Sequence, residues 1–208
     1  MATEKYKLGV EVMFESQSDP TPTSELEHRL LVAASAILTE EGVEGLSLRK
    51  VADRAGSTTM AIYKFYGGKS GVLNALYREG FQQLIAMQKS VLAQTTEPRA
   101  VLVELCRGFR GVALRFAAHY RIMLGDRSPE FAPDGESGAV AKASFDTLVS
   151  ACARFLEARG ATGSPERLAI HLFTACHGNV ALELAGYQTV DGAATLDEHV
   201  ALLLDGFD

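Results

Sequence analysis

The chain has 208 residues, of which 47% are hydrophobic and 22% charged, and its formal net charge at pH 7 is −6. This length and composition predict a globular protein with a sizeable core, and the negative charge argues against a protein that coats nucleic acids or membranes indiscriminately. The N-terminus lacks the apolar segment of a signal peptide, and no apolar run approaches the roughly 20 residues that cross a bilayer. We therefore expect a cytoplasmic protein that makes no contact with a membrane.

The first 23 residues differ in pattern from the rest of the chain. Their apolar side chains alternate with other residues, which is the period of a strand, but no partner strand is evident elsewhere. The alternating residues are Tyr6, Leu8, Val10, Val12 and Phe14. We expect residues 1–23 to form an N-terminal extension, either a flexible tail or an additional part of the working protein.

A first helix is predicted directly after this extension. Ser24 and Glu27 form a capping box, in which each side chain can satisfy a backbone N–H group at the helix start. An apolar face with helical spacing follows and continues until Gly42, which is a typical helix end. The helical part of the chain therefore begins at residue 24.

Three more helices are predicted in the next 50 residues or so. Ser47 is a suitable N-cap for a short second helix, which Gly56 ends after little more than two turns. Thr58 can cap a third short helix. Residues 67–68 are both glycine and break the chain before Lys69 begins a longer fourth helix.

The remainder predicts a second helical unit, so that the fold class is all-α. Pro98 suits the start of a helix, and residues 125–138 are rich in Gly, Pro, Ser and acids, which is typical of a surface connection. Three further helices are predicted: one contains residues 145–156, the next begins at Pro165, and the last ends near Phe207.

The charges at two helix starts are unusual. Residues 45–69 carry five cations and one acid, and the cations are Arg49, Lys50, Arg54, Lys64 and Lys69. Three of these lie in the first turns of the second and fourth helices, where the helix dipole favours an anion. Each such cation costs at most about 1 kcal/mol, so chance is an acceptable explanation. A bound phosphate would make the same cations favourable, because the exposed N–H groups, the dipole and the cation all attract it.

The spacing of the second and third helices favours DNA as the source of that phosphate. Two short helices joined by a turn at Gly56 form a helix-turn-helix, whose second helix enters the major groove. We predict DNA contacts from the third helix and from the helix starts beside it. The predicted residues are Ser47, Arg49, Lys50, Thr58, Thr59, Met60, Ala61, Tyr63, Lys64 and Lys69.

Residues 26–76 resemble the DNA-binding domain of the tetracycline-repressor (TetR) family of bacterial regulators. The resemblance rests on the Ala-rich first helix, the Gly42 turn, the Val51-Ala52 and Ala55-Gly56 pairs, and then Tyr63, Tyr66 and Lys69. Phe65 stands where the family often has His, and Met60-Ala61 replaces a commoner Gly-Thr pair. These departures concern the DNA sequence that is recognised rather than the fold.

The resemblance implies a homodimeric DNA-binding regulator without catalytic residues or a cofactor, released from operator DNA by a small effector. Residues 24–70 would bind DNA, and residues 71–208 would bind the effector and form the dimer interface. A His-Gly segment at residues 177–187 is similar to one subgroup of the family. Repression is also an implication of the family.

The C-terminal sequence adds weaker predictions of its own. The helix from Pro165 is apolar around much of its circumference, so we expect it to form a four-helix dimer interface with the stripe that contains Leu203 and Phe207. A cavity lined by aromatic and other apolar residues would suit a largely apolar effector. The predicted ligand-binding residues are Phe109, Phe116, Met123, Phe145, Phe173 and His177.

Other interpretations of the C-terminal half are weighed against these. His171, Cys176 and His177 are close in sequence, but no zinc motif accompanies them, so packing is favoured over a metal site. Cys106 and Cys152 lie on apolar stripes, where thiols are usually inert rather than redox sensors. The arginines of the helix from Pro98 are better explained by solvated surfaces than by an acidic effector. A helical enzyme or ligand carrier is the alternative function.

Overall fold

The computed structural model describes residues 22–125, 131–187 and 191–207, with side chains from residue 25 onward. In these ranges the regular structure consists of nine α-helices without a strand, which confirms the predicted all-α fold class. The helices are α1 (Pro22–Gly45), α2 (Leu48–Arg54), α3 (Thr59–Tyr66), α4 (Lys69–Gln94), α5 (Pro98–Arg115), α6 (Ala117–Leu124), α7 (Gly135–Arg159), α8 (Pro165–Leu184) and α9 (Gly192–Gly206). The alternating segment near the N-terminus lies outside the described residues. None of the described helices is long and apolar enough to cross a membrane.

Helix α1 differs from its prediction at both ends. It begins at Pro22, so Ser24 lies inside the helix and not at its N-cap. At the other end Gly42 adopts φ 72° and ψ −174°, and a further helical turn continues to Gly45. Because a positive φ is accessible to glycine and costly for residues with a Cβ, Gly42 does interrupt the helix where the sequence indicates.

The first hydrophobic core joins the N-terminal helices to α6. Leu30 and Ile37 of α1, Val51 of α2, Ile62 of α3 and Leu76 of α4 are all buried in it. Ala118, Ile122 and Met123 of α6 belong to the same core. Helices α1 and α4 therefore pack directly against α6, an element of the C-terminal half.

The second hydrophobic core lies among α5, α7, α8 and α9. Its fully buried side chains include Leu102, Cys152, Leu168, Leu172 and Leu204. The second half of α4 packs against this core through three partly buried residues, Met87, Val91 and Leu92. Since the first half of α4 belongs to the first core, this continuous helix joins the two halves of the protein.

The sequence predicts one helix from Pro98 to about residue 125, but the structure contains two helices there, α5 and α6. Phe116 has φ −115° and ψ 48°, which is outside the helical range, and separates α5 from α6. The apolar spacing continues across this break, so periodicity did not reveal it. The change of direction allows α6 to pack against α1 and α4.

The prediction that residues 125–138 form a surface connection is wrong for residues 131–138. Phe131 is buried, with its ring centroid 5.9 Å from that of Tyr77, and α7 already begins at Gly135. Asp134 caps α7 by accepting a hydrogen bond from the Ser137 N–H group at 2.8 Å. The Asn74 side-chain oxygen accepts from both the Asp134 N–H group at 2.9 Å and the Ser137 hydroxyl at 2.8 Å, which fixes the start of α7 on α4.

A close contact between α3 and α4 generates the first testable prediction. A Cβ added at Gly71 would lie 1.6 Å from the carbonyl oxygen of Tyr66, so this position has no room for a side chain. We expect Gly71→Ala to reduce the free energy of unfolding by about 2 to 3 kcal/mol, because α3 and α4 must separate. Urea denaturation followed by circular dichroism measures this loss.

Gly111 supplies the matched control for this substitution. It also lies inside a helix, but a Cβ there would meet nothing within 4 Å. Gly111→Ala should therefore raise the free energy of unfolding by about 0.5 to 1 kcal/mol. Equal effects of the two substitutions would show that helix propensity, and not the contact between α3 and α4, determines the result.

Candidate nucleic-acid interface and internal cavity

The two short helices of the helix-turn-helix begin as the sequence predicts. Ser47 caps α2 by accepting a hydrogen bond from the Lys50 N–H group at 3.3 Å. Thr58 caps α3 by accepting from the Ala61 N–H group, also at 3.3 Å. Gly56, with φ 60°, makes the turn between them. The two caps fix where α2 and α3 begin. The start of α3 in turn decides which of its side chains face solvent.

The outer face of α3 carries the exposed side chains of the interface. Ile62 is fully buried, whereas Met60 is 75% and Tyr63 is 57% exposed. Thr58, Thr59 and Lys64 are also exposed, and Ala61 is partly buried against the first core. The Lys64 ammonium lies 5.5 Å from the centre of the Phe65 ring. This face combines hydroxyl, apolar, aromatic and cationic groups.

The cations of α2 have partners that the sequence did not indicate. Lys50 Nζ forms an ion pair with Glu41 of α1, and Arg54 forms two hydrogen bonds of 2.6 Å with Glu40. The hydrogen bonds from Arg54 lower the pKa of Glu40 below its usual value. Arg49 lies 3.8 Å from Asp53. Lys50 must therefore exchange Glu41 for a phosphate before it can contact DNA, whereas Arg49 makes only a long contact with its neighbour.

The start of α4 lies beside α3 because of two consecutive glycines. Gly67 ends α3 with φ 71°, and Gly68, with φ 126°, is the N-cap of α4. No side chain caps this helix start, and its first turn contains no acid. Lys69 is its first residue and is partly buried. A Cβ at Gly68 would be 3.4 Å from the Tyr63 ring, so this turn also supports the aromatic side chain.

Tyr66 is a positioning residue for α3. Its hydroxyl donates a 2.8 Å hydrogen bond to the backbone carbonyl of Glu27 in α1. Burial raises the pKa of Tyr66 to about 12, and the nearby Glu27 and Glu79 carboxylates add to this effect. The sequence pattern indicated an aromatic residue here but not its hydrogen bond, since the acceptor lies 39 positions away.

An internal cavity of about 210 Å³ lies between α4, α5, α6, α7 and α8. Four of the six predicted ligand-binding residues line it: Phe109, Met123, Phe145 and Phe173. The other described residues of the wall are Tyr77, Phe81, Leu84, Met87, Gln88, Leu105, Cys106, Leu124, Ala141, Ser144, Leu148 and Cys176. The wall is mainly aromatic and aliphatic.

Two predicted ligand-binding residues lie elsewhere. Phe116 lines a much smaller cavity of about 10 Å³, which shares Leu84, Phe109 and Met123 with the larger one. His177 is not among the described residues of the larger cavity wall. Its Nδ1 atom is 2.7 Å from the Tyr120 hydroxyl, and its ring stacks on Phe173 with 5.8 Å between centroids. His177 therefore supports the wall from behind.

The three cysteines of the C-terminal half are packing residues. Cys106, Cys152 and Cys176 are buried free thiols. Contact with the Cys176 thiol and burial raise the pKa of Cys106, and burial raises the pKa of Cys152 to about 12, so the unreactive thiol forms are favoured. The part of the chain that the structure describes contains no group of three residues suited to a metal ion.

Two arginines in the middle of α5 pair with carboxylates on neighbouring helices. Arg107 forms two 2.8 Å hydrogen bonds with Asp197 of α9, and Arg110 forms a 2.9 Å hydrogen bond with Glu183 of α8. None of these four residues is part of the cavity wall as described. Their pairing connects helices rather than presenting cations to a ligand.

Comparison with protein-family models decides the family. The model described as "Bacterial regulatory proteins, tetR family" matches residues 30–76, and the "Tetracyclin repressor-like, C-terminal domain" model matches residues 102–207, about half of the chain. The chain belongs to the TetR family. It is a DNA-binding regulator, and α2 and α3 are the helix-turn-helix of this family.

Two known proteins are similar to this chain, one in sequence and one in fold. The HTH-type transcriptional repressor DrrR1 of Streptomyces coeruleorubidus is 42% identical over 57 residues, which are 27% of this chain and 21% of that protein. The match thus spans about a fifth of the length of this curated relative. A structure of a protein of unknown function from Rhodococcus sp. RHA1 is 25% identical with a TM-score of 0.79, and the match covers 91% of this chain and 99% of that one.

A second solved structure shares the fold at lower identity. It is the transcriptional regulator FadR from Bacillus subtilis in complex with stearoyl-CoA. The two chains are 16% identical with a TM-score of 0.71, and the match covers 88% of this chain and all of the other. At this identity the likeness extends to the fold alone.

The raised pKa of Tyr66 generates a prediction about alkaline stability. The folded protein keeps the Tyr66 proton up to pH about 12, whereas a tyrosine in an unfolded chain loses it near pH 10. The contribution of the protonated Tyr66 side chain to the free energy of unfolding is therefore complete below pH 10 and is lost as the pH rises from about 10 towards 12. At pH 8 we expect Tyr66→Phe to lower the free energy of unfolding by about 0.5 to 1.5 kcal/mol through loss of the hydrogen bond.

The difference between the wild type and Tyr66→Phe should then shrink as the pH is raised above 10, because phenylalanine has no proton to lose. Urea denaturation at pH 8, 9, 10 and 11 measures it. Tyr120, whose pKa burial also raises to about 12, is present in both proteins and cancels in the comparison. A difference that stays constant from pH 9 to pH 11 would contradict the prediction.

Proposed function

We propose that this protein is a dimeric transcriptional repressor that a small, largely apolar effector releases from its operator. Residues 24–70 bind double-stranded DNA, and residues 71–208 bind the effector and form the dimer. The exposed face of α3, beside the uncapped start of α4, is the observation that carries the proposal. The name of DrrR1 as a repressor supports the direction of regulation. No catalytic step is part of this function.

We assign base recognition to the first half of α3. Thr59 and Met60 are exposed there, so a hydroxyl group and an apolar group can reach base edges in the major groove. Ala61 is small enough for the helix to approach the bases closely. These residues differ from the commoner family pattern, and we infer that they determine which operator is bound.

Phosphate contacts come from the groups that surround α3. Tyr63 and Lys64 are exposed on the same helix, and Lys69 and Arg49 lie in the first turns of α4 and α2. The N-caps Ser47 and Thr58 and the Lys50 side chain complete the predicted set, with Lys50 leaving Glu41 on binding. Contacts with phosphate position a protein on DNA without distinguishing its sequence.

The effector site that we propose is the 210 Å³ cavity. A cavity of roughly 150 Å³ already accommodates a molecule the size of benzene, so a small apolar compound fits without opening the fold. The shared fold of FadR, which was solved with stearoyl-CoA, supports a ligand site in the helical half. Four of the six residues that the sequence indicated are in its wall.

Helix α6 is positioned to connect the cavity with the DNA-binding half. Met123 and Leu124 line the cavity, whereas Ile122 is buried in the first core. One turn earlier, His119 Nε2 lies 2.9 Å from a Glu79 carboxylate oxygen of α4 and 3.4 Å from the Ser35 hydroxyl of α1. Since both sets of contacts lie on an eight-residue helix, a ligand that displaces Met123 also displaces α1. Two helix-turn-helix units then lose the spacing of roughly 34 to 36 Å that successive major grooves require.

The dimer interface that we propose consists of α8 and α9, but its residues differ from the sequence prediction. Leu203 and Phe207 are partly buried and pack against the second core of their own protomer. The exposed apolar side chains are Leu202 of α9, at 71%, and Ile170 and Leu182 of α8, at 53% and 51%. Two such helices from each subunit would bury these residues in a four-helix interface.

Two substitutions separate affinity for DNA from recognition of its sequence. The operator is first selected from a library of random duplexes. Lys69→Ala should weaken binding to the selected and to unrelated DNA alike, and should reduce the slope of log affinity against log salt by about one unit. Met60→Ala and Thr59→Ala should change the preference among operator variants, with about 1 to 3 kcal/mol per lost base contact, and leave the salt slope unchanged.

Fluorescence anisotropy over a salt series measures these effects. Lys89→Ala is the matched control, because Lys89 is an exposed lysine on the same helix near its other end. It should change neither affinity nor slope. If Lys69→Ala behaves like the control, Lys69 does not bind a phosphate; if no duplex binds with a salt-dependent affinity, the proposed function is wrong.

The dimer is tested by charging the exposed apolar residues. We expect Ile170→Asp with Leu202→Asp to give folded monomers whose operator affinity is strongly reduced, because each monomer then reaches only one half-site. Analytical ultracentrifugation measures the mass, and Val32→Asp, an exposed apolar residue on α1, is the control that should remain dimeric. A double variant that sediments as a dimer would exclude this interface.

A further inference from the structure

The cavity wall contains one buried pair of polar side chains. Gln88 of α4 is 9% exposed and Ser144 of α7 is 5% exposed, and both line the cavity. The Gln88 amide nitrogen donates a 3.0 Å hydrogen bond to the Ser144 backbone carbonyl. The Ser144 hydroxyl donates to the Gln88 amide oxygen at 3.3 Å. Because a carbonyl can only accept, the amide nitrogen must be the atom that faces it, which fixes the orientation of the Gln88 side chain.

This arrangement leaves one hydrogen-bond donor in the wall. The amide nitrogen of glutamine carries two N–H bonds, and the Ser144 carbonyl accepts only one of them. Among the described residues, this nitrogen donates no second hydrogen bond. An unpaired buried N–H group is costly, and more so than a carbonyl oxygen with one unused lone pair. The Gln88 amide therefore keeps one N–H bond that an occupant of the cavity can satisfy.

The rest of the wall limits the charge of the occupant. None of the described lining residues is charged, so a carboxylate, phosphate or ammonium group would be buried there without a counterion. The two lining thiols, Cys106 and Cys176, are weak hydrogen-bonding groups. Besides the hydroxyl groups of Tyr77 and Ser144, the Gln88 amide is thus the polar group that the described wall presents, in a surface that is mainly aromatic and aliphatic.

We propose that Gln88 is the specificity-determining residue of this cavity and that it donates a hydrogen bond to a carbonyl oxygen of a neutral, otherwise apolar effector. A ketone, ester or quinone carbonyl meets the requirement, because it accepts without bringing a donor that needs its own partner. A hydroxyl group satisfies it less well for that reason. This assignment rests on the proposed function, in which the cavity is the effector site.

The proposed hydrogen bond from Gln88 is tested by measuring how the full-length protein binds three compounds that differ at one functional group. Dissociation constants of 1-tetralone, 1-tetralol and tetralin are measured by ligand-observed NMR for the wild type and for Gln88→Met, which keeps the side-chain volume and removes the amide. We expect Gln88→Met to weaken binding of 1-tetralone relative to tetralin by about five- to tenfold, the value of one neutral hydrogen bond. Gln88→Leu should show the same loss.

Gln82→Met is the matched control, because Gln82 is exposed on the same helix; it should leave the ratio of the two constants unchanged. The same ratio for wild type and Gln88→Met would overturn the role of Gln88 and leave the cavity as a binding site. Tighter binding of 1-tetralol than of 1-tetralone would overturn the carbonyl assignment. If none of the compounds binds the wild type, both this assignment and the cavity as effector site fail, whereas the salt-series experiment still decides DNA binding.

Discussion

The sharing of one helix between two hydrophobic cores is the constraint on which the rest of the structure depends. The first turn of α4 approaches α3 so closely that Gly71 has no space for a Cβ, and its second half packs against the C-terminal core. A helix of 26 residues behaves as a stiff rod on this scale, since its hydrogen bonds lie within it. The orientation of the DNA-binding helices is therefore tied to the positions of α5 and α7.

A second connection between the two halves lies at α6. Glu79 of α4 and Ser35 of α1 both contact His119 of α6, so three helices meet at one buried side chain. Nε2 of His119 is the ring nitrogen that faces the Glu79 carboxylate. Close packing leaves a cavity of only about 10 Å³ next to this residue. Small displacements cannot be absorbed in such a region and must move whole helices.

The parts of the fold that depend on local sequence were predictable. Ser47 and Thr58 were identified as caps because their function needs only a hydroxyl and an N–H group three residues later. The apolar faces of α1 to α3 were also clear, since polar residues separate their buried positions. The cavity residues Phe109 and Phe173 followed from the same periodicity, because side chains on inner faces of neighbouring helices converge.

The features that the sequence did not reveal depend on contacts between distant segments or on small rotations of a helix. The segment with Phe131 looked like a surface loop by composition, but Asn74 holds it against α4. Lys50 pairs with Glu41, which lies on another helix. In α9 the run Ala201 to Leu204 is apolar at every position, so no period in the sequence distinguishes the exposed Leu202 from the partly buried Leu203 and the buried Leu204. One residue corresponds to a rotation of about 100° on a helix, enough to exchange core for surface.

The uncharged wall of the cavity has a consequence for how the protein would respond to its surroundings. Among the described residues that line it there is no ion for dissolved salt to screen, so occupation of the cavity is nearly independent of ionic strength. Binding to DNA, by contrast, weakens steeply as the salt concentration rises, because the release of counterions from DNA then favours binding less. If the cavity is the effector site, a change in the ionic strength of a bacterial cell would therefore alter the affinity for promoter DNA while the affinity of the DNA-free protein for its effector stays nearly the same.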